Sequence, residues 1–189
     1  MTIWNIARAC KGHLAVPAGK HTGTCPAAGM AVIRGYSGKE AAGIVIDSRK
    51  VEPGDIFVAI RGERVDGHQF IREVFDKGAI AVVCEEEPEE LPGPCIRVED
   101  SLAALRQIAA FYREQMPIPI VGITGSVGKT STKEFVASVL AQKYKTHKTQ
   151  GNFNNEIGVP LTLLAMPEDT EAALSLIHIS EPTRLLSIS

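Results

Sequence analysis

The chain has 189 residues, 44% of them hydrophobic and 22% charged, with a net charge of −2. That is the balance of an ordinary globular protein, one domain and a part or two small ones. The near-neutral charge argues against a nucleic-acid partner, which needs a basic surface. No run is long and apolar enough to span a bilayer, and the N-terminus lacks a basic segment leading into an apolar core, so neither a membrane span nor a signal peptide is expected. Cys10, Cys25, Cys84 and Cys95 have no metal-ligand spacing. They read as free thiols in a reducing, cytoplasmic compartment.

Thr2 is placed to cap a short helix with Ile3, Ile6, Ala7 and Cys10 on one side. Residues 16–43 are rich in Gly, Ala and Pro and read as loop, with one strand near residues 30–33. From Gly43 the signal sharpens. Residues 44–46 and 55–60 read as strands, joined by the turn Val51-Glu52-Pro53-Gly54. A helix follows with Phe70, Ile71, Val74 and Phe75 inward, stopped by Gly78. Residues 79–84 and 95–98 are strands. The acidic, proline-containing stretch 85–94 between them reads as a solvated surface loop rather than a metal site. Asp100 or Ser101 then caps a helix bearing Leu102, Leu105, Ile108, Ala109 and Tyr112. Met116-Pro117 ends it and marks a domain boundary.

The second unit opens with Pro119-Ile120-Val121-Gly122-Ile123-Thr124-Gly125-Ser126-Val127-Gly128-Lys129-Thr130-Ser131. An apolar β-branched run reads as a buried strand. It passes through two glycines into an amphipathic helix, with Phe135, Val136, Val139, Leu140 and Tyr144 on one face. Strand, glycine loop and helix, with Gly-Lys-Thr at the helix start, is the arrangement that holds a polyphosphate. Gly125 and Gly128 let the backbone approach phosphate oxygens. The amides from Gly125 through Ser131, Ser126 and Val127 included, sit at the positive end of the helix dipole. Lys129 adds a full charge toward the β- and γ-phosphates, and the Thr130 hydroxyl is placed to ligate Mg²⁺. The complete pattern has a further glycine where this chain has Ile123.

After that helix, residues 144–148 read as a short strand. Then come Thr149-Gln150-Gly151-Asn152-Phe153-Asn154-Asn155-Glu156-Ile157-Gly158-Val159-Pro160 and a short helix, 161–165. Asparagines between glycines tolerate positive φ and offer both donor and acceptor. The residues alone leave two readings open, a ligand loop facing the phosphate site and a structural Asx-turn.

Three groups of motifs resemble one family. Asp47-Ser48-Arg49, Pro53-Gly54-Asp55-Ile56-Phe57-Val58-Ala59, Gly62 and Asp66-Gly67-His68 with Phe70 resemble the N-terminal domain of the Mur ligases. The glycine loop 124–131 resembles their ATP loop, which also lacks the first glycine. The asparagine segment 151–164 is similar to the branch that joins D-alanyl-D-alanine to UDP-N-acetylmuramoyl-tripeptide. The resemblance covers roughly residues 43–166. It implies an α/β fold: a small N-terminal UDP-binding domain over residues 1–116, then the start of a P-loop central domain over residues 117–173. It implies an ATP- and Mg²⁺-dependent amide-bond ligase of peptidoglycan precursor synthesis, acting through an acyl phosphate, with Lys129 and Thr130 as its catalytic groups here. Ser48, Arg49, Asp66, Gly67 and His68 would hold the UDP end, and Asn154 and Asn155 would lie near the nucleotide or the peptide carboxylate. Asp47 and Asp55 read as turn residues. A cytoplasmic monomer is expected.

The family runs to more than twice this length. Residues 174–189 do not resemble it, and 174–184 look like an in-frame translation of a sequencing-library adapter, so a non-native tail is expected there. The other reading is a genuine strand, since Leu174, Leu176, Ile177 and Ile179 are apolar enough to pair with the P-loop strand. The chain alone is expected to have no ligase turnover, because half of the family's active site is absent from it. Rival readings are the Mur ligase that adds the third amino acid, a folate polyglutamyl ligase, a non-catalytic P-loop module, and an inactive structural fragment.

Overall fold

The structure, a computed structural model, describes residues 1–17, 38–62, 65–149 and 155–176. The chain divides into two compact units, Met1–Ile108 and the residues from Ala109 on. The expected strand near residues 30–33 lies outside the described residues.

In the first unit, helix α1 (Ile3–Ala9) starts where Thr2 Oγ1 accepts the Asn5 N–H at 3.2 Å. Ile3, Ile6 and Ala7 are buried on the expected face. The sheet has the order β1-β5-β4-β3-β2, with β1 His13–Ala15, β2 Ile44–Val45, β3 Ile56–Val58, β4 Ala81–Cys84 and β5 Cys95–Arg97. Strands β2 to β5 run parallel. Every residue of β3 and β4 is buried, which is why these runs are apolar throughout rather than alternating. Helix α2 (Ile71–Asp76) lays Ile71 and Val74 on Phe57, Ala59 and Val82, with Phe70 and Phe75 half-buried beside them. Helix α3 is Ser101–Glu114. The division between the units falls within it, and the junction expected at Met116-Pro117 lies just past its end.

Strand β1 was not foreseen. It joins the sheet antiparallel, with Leu14 opposite Ile96. Its pattern of exposed His13, buried Leu14 and half-buried Ala15 is only three residues long, too short for alternation to mark it as a strand.

The second unit holds a parallel sheet of order β6-β8-β7, with β6 Ile120–Ile123, β7 Thr146–Lys148 and β8 Ala172–Leu176. Helix α4 is Lys129–Leu140 and helix α5 is Gly158–Leu164. Ala137 packs on Ile123 and Leu174, with Val136 and Leu140 against them. The expected inward face of α4 is corrected here. Phe135 is 74% exposed, Val139 70%, and Tyr144 is exposed too. The buried stripe is Lys133, Val136, Ala137 and Leu140, spaced three and four residues apart as one helical face must be. A lysine occupies an inward position, and that rotates the stripe away from the one hydrophobicity alone suggests.

Strand β8 pairs on both sides and Leu174 is fully buried. The strand continues three residues past the break expected at residue 173, so Leu174 and Leu176 pair with the P-loop strand. Residues 177–189 lie outside the described residues.

Candidate functional site

Strand β6 ends at Ile123, and the chain crosses Thr124–Gly128 before α4 begins at Lys129. Gly125 has φ +151° and Gly128, the residue preceding the helix, +78°. A side chain is strained in that region, and glycine is not. A Cβ on Gly128 would meet nothing within 4 Å. Among the described residues the space beside Gly128 is therefore open, and the first turn of the helix holds no acidic residue. Its leading N–H groups form the positive end of the helix.

Ser126, Val127, Thr130 and Ser131 are exposed and Lys129 is half-buried. The Lys129 ammonium donates to the Gly125 carbonyl of its own loop. All seven expected phosphate-loop residues, 125 through 131, thus lie on one exposed turn and the first helical turn after it. Among the described residues no group of three His, Cys, Asp or Glu side chains converges to hold a metal. Mg²⁺ bound by one hydroxyl, phosphate oxygens and water needs no such group, and Thr130, one residue past Lys129, fits that role.

In the parallel sheet β6-β8-β7, the carboxyl ends of β6 and β7 share one edge. Thr149, the residue leaving β7, is therefore on the edge from which the phosphate loop leaves β6. Lys133 lies one turn beyond Lys129, 1% exposed, and its Nζ donates to the Thr149 carbonyl at 2.7 Å. Asn155 Oδ1 accepts the Gly158 N–H, the first amide of α5, at 2.7 Å. Asn154 lies outside the described residues. Sequence reasoning missed Lys133, because a lysine four residues past a phosphate-loop lysine looks like solvated helix surface.

In the first unit the expected substrate residues follow the carboxyl ends of β2 and β3. Ser48 opens a 3-10 turn, Ser48–Lys50, and is buried; its carbonyl accepts Lys77 Nζ at 2.9 Å. Arg49 is exposed and forms a two-pronged pair with Asp47, Nε to Oδ1 at 2.8 Å and Nη2 to Oδ2 at 2.7 Å. That guanidinium holds the Asp47 carboxyl down at about 2. Asp66 caps a second 3-10 turn, Gly67–Phe70, accepting the His68 N–H at 2.9 Å. Gly67 sits where a Cβ would come within 2.9 Å of the Ile60 backbone nitrogen and oxygen. His68 spends both ring nitrogens internally, on Asp66 Oδ1 at 2.6 Å and the Glu85 N–H at 2.9 Å. Glu85 Oε1 in turn accepts the Ser101 N–H at 3.0 Å, at the start of α3. Glu85 is thus a tie between loops rather than a solvated edge. Arg61, also missed, lies across Asp66, Glu85 and Glu86 at 3.4, 3.8 and 2.6 Å. A cleft of about 700 Å³ opens beside Glu85, between Lys11, His13, Arg97 and Asp100. None of the expected substrate residues lines it.

The second unit is a parallel α/β layer with a glycine-rich phosphate loop at its strand-to-helix turn, which defines a P-loop nucleotide-binding class of domain. Two profiles of one family match the chain: "Mur ligase family, catalytic domain" over residues 40–113 and "Mur ligase middle domain" over residues 123–176. The chain belongs to the Mur ligase family. It is 41% identical over 178 residues to the UDP-N-acetylmuramoyl-tripeptide–D-alanyl-D-alanine ligase of Bacillus subtilis, covering 92% of this chain and 35% of that one. Among solved structures it is similar to MurF from Acinetobacter baumannii, with TM-score 0.76 and 31% identity over 93% of this chain and 35% of that one. It is also similar to the MurF ligase from Thermotoga maritima in complex with ADP, with TM-score 0.68 and 35% identity over 76% of this chain and 33% of that one. The chain spans about a third of the length of the relatives it matches. Among the described residues no helix is long and apolar enough to cross a membrane.

Proposed function

We propose that this chain is the substrate-binding and nucleotide-binding part of an ATP-dependent ligase that joins D-alanyl-D-alanine to UDP-N-acetylmuramoyl-tripeptide. The observation that carries the reading is the open helix start at Gly128, with Lys129 and Thr130 in its first turn. It fits a nucleoside triphosphate tail, and the similar Thermotoga maritima structure contains ADP. A carboxylate is a poor electrophile. Transfer of the γ-phosphoryl group of ATP to a carboxylate oxygen of the tripeptide gives an acyl phosphate and ADP. The dipeptide amine then attacks the acyl carbon, an amide forms, and phosphate leaves with the C–O bond electrons. In this scheme the amides after Thr124 orient the phosphates, and Lys129 leaves the Gly125 carbonyl to neutralise charge as it builds on the transferring group. Thr130 would hold Mg²⁺, which would supply charge neutralisation to the phosphates.

The first unit would hold the UDP end. Ser48, Arg49 and the Asp66-Gly67-His68 turn all follow carboxyl ends of parallel strands, where ligands of open α/β sheets bind. With both nitrogens of His68 engaged, its role there is to hold the turn, and Arg49 is the group able to swing to an anion. Asn155 would shape the segment between β7 and α5 beside the nucleotide. Such an enzyme would work in the cytoplasm, as a monomer. The test is the protein expressed from its complete gene, given MgATP, UDP-N-acetylmuramoyl-tripeptide and D-alanyl-D-alanine. One phosphate released per dipeptide consumed, and none without the dipeptide, is the expected result. Turnover with a single amino acid in place of the dipeptide would instead assign the ligase that adds the third residue.

A further inference from the structure

Lys133 is the most deeply buried charged side chain among the described residues. A buried ammonium is costly unless it is paired and hydrogen-bonded. Here Nζ donates to the Thr149 carbonyl at 2.7 Å and lies 3.3 Å from Glu134 Oε1. The other oxygen of Glu134 binds Lys148 Nζ. Thr149 is itself fully buried and donates its N–H to the Leu174 carbonyl at 3.0 Å. One lysine of the phosphate-loop helix thus fixes the residue at which the chain leaves β7, on the edge of the sheet where the phosphate loop leaves β6.

We infer that Lys133 is a positioning residue: it ties the exit of β7 at Thr149 to the phosphate-loop helix, so that nucleotide bound at Lys129 steadies Thr149 and the start of α5 at Gly158. This rests on the nucleotide reading above. The Lys133 ammonium is turned inward to Thr149, while Lys129 occupies the loop. Lys133→Met keeps the length and apolar stem of the side chain and removes the charge and the donor.

The test is hydrogen exchange of the Thr149 and Gly158 amides in the full chain, with and without saturating MgATP, alongside titration calorimetry. In the wild type MgATP is expected to slow exchange at both amides. In Lys133→Met, MgATP should bind within about threefold of wild type, under ~0.7 kcal/mol, while the nucleotide-dependent slowing is lost. A purely stabilising lysine would lower the baseline protection and leave the nucleotide-dependent change intact, which overturns the inference. A loss of affinity as large as that of Lys129→Ala overturns it too, since Lys133 would then be a phosphate ligand. Should Lys133→Met fail to fold, Glu134→Gln on the surface removes the carboxylate shared with Lys148. Weakened slowing at Thr149 then supports the tie and unchanged slowing overturns it. No MgATP binding by the wild type would overturn the nucleotide reading itself, a result distinct from all of these.

Discussion

The imidazole of His68 bridges Asp66 and the backbone of Glu85, with Nδ1 2.6 Å from Asp66 Oδ1 and Nε2 2.9 Å from the Glu85 nitrogen. A backbone N–H can only donate, so Nε2 is the acceptor and Nδ1 carries the proton toward Asp66. Through Glu85 the link runs on to the Ser101 N–H at the start of α3. His68→Ala leaves the Glu85 N–H without that partner. The expected cost is about 1–3 kcal/mol of first-unit stability, read as a lower urea midpoint at unchanged slope. A wild-type midpoint would show that the bridge contributes nothing.

Two glycines separate two kinds of backbone constraint. At Gly67 an added Cβ meets the Ile60 backbone at 2.9 Å, and backbone does not give way as a side-chain tip does. At Gly128 the space is open, and the obstacle is φ +78° alone. Gly128→Ala should therefore cost about 1–2 kcal/mol, and Gly67→Ala more than that. Denaturant unfolding of each variant against wild type checks the order, and the reverse order would contradict the close packing at Ile60.

Much of this was legible in the residues. Thr2 caps α1, the continuous apolar runs of β3 and β4 are buried on both faces, and the glycine loop sits between β6 and α4, all as read from local pattern. What escaped depends on partners far along the chain. Glu85 reads as one of a run of glutamates until His68, seventeen residues earlier, and Ser101, sixteen later, are seen on either side of it. Lys133 reads as helix surface until Thr149 supplies a carbonyl inside the sheet. β1 is three residues long and is defined by its partner β5 rather than by its own sequence.

His147 on β7 is half-buried, with Nε2 3.0 Å from the Thr162 carbonyl. Burial pushes its pKa down from the ordinary 6.5, against a smaller upward pull from the Thr162 carbonyl. The fold thus disfavours the charged ring. Stability of the second unit should be full above pH 6.5 and be lost as the pH falls below it, through the lowered folded value. In His147→Gln, which cannot titrate, that acid limb should flatten. Thermal melts across this range read it, and an identical limb in the variant would place the titration elsewhere.

Cys84 and Cys95 are fully buried on neighbouring strands. Their shared hydrogen bond pushes the Cys95 thiol far up and draws the Cys84 thiol down, so it is the complete burial of both that keeps a solvent reagent away. Alkylation with iodoacetamide should leave both unmodified in the folded chain and label them in denaturant. Labelling of Cys95 under native conditions would show that the β4–β5 core opens.

The nucleotide reading turns on the Lys129 ammonium and the bare helix start beside it. Calorimetric titration of MgATP into the wild type and into Lys129→Ala measures both at once. Saturable binding by the wild type, weakened at least tenfold in the variant, about 1.4 kcal/mol or more, is the expected outcome. Equal affinity in the two proteins, or none in either, would mean that residues 124–131 form a turn and nothing more.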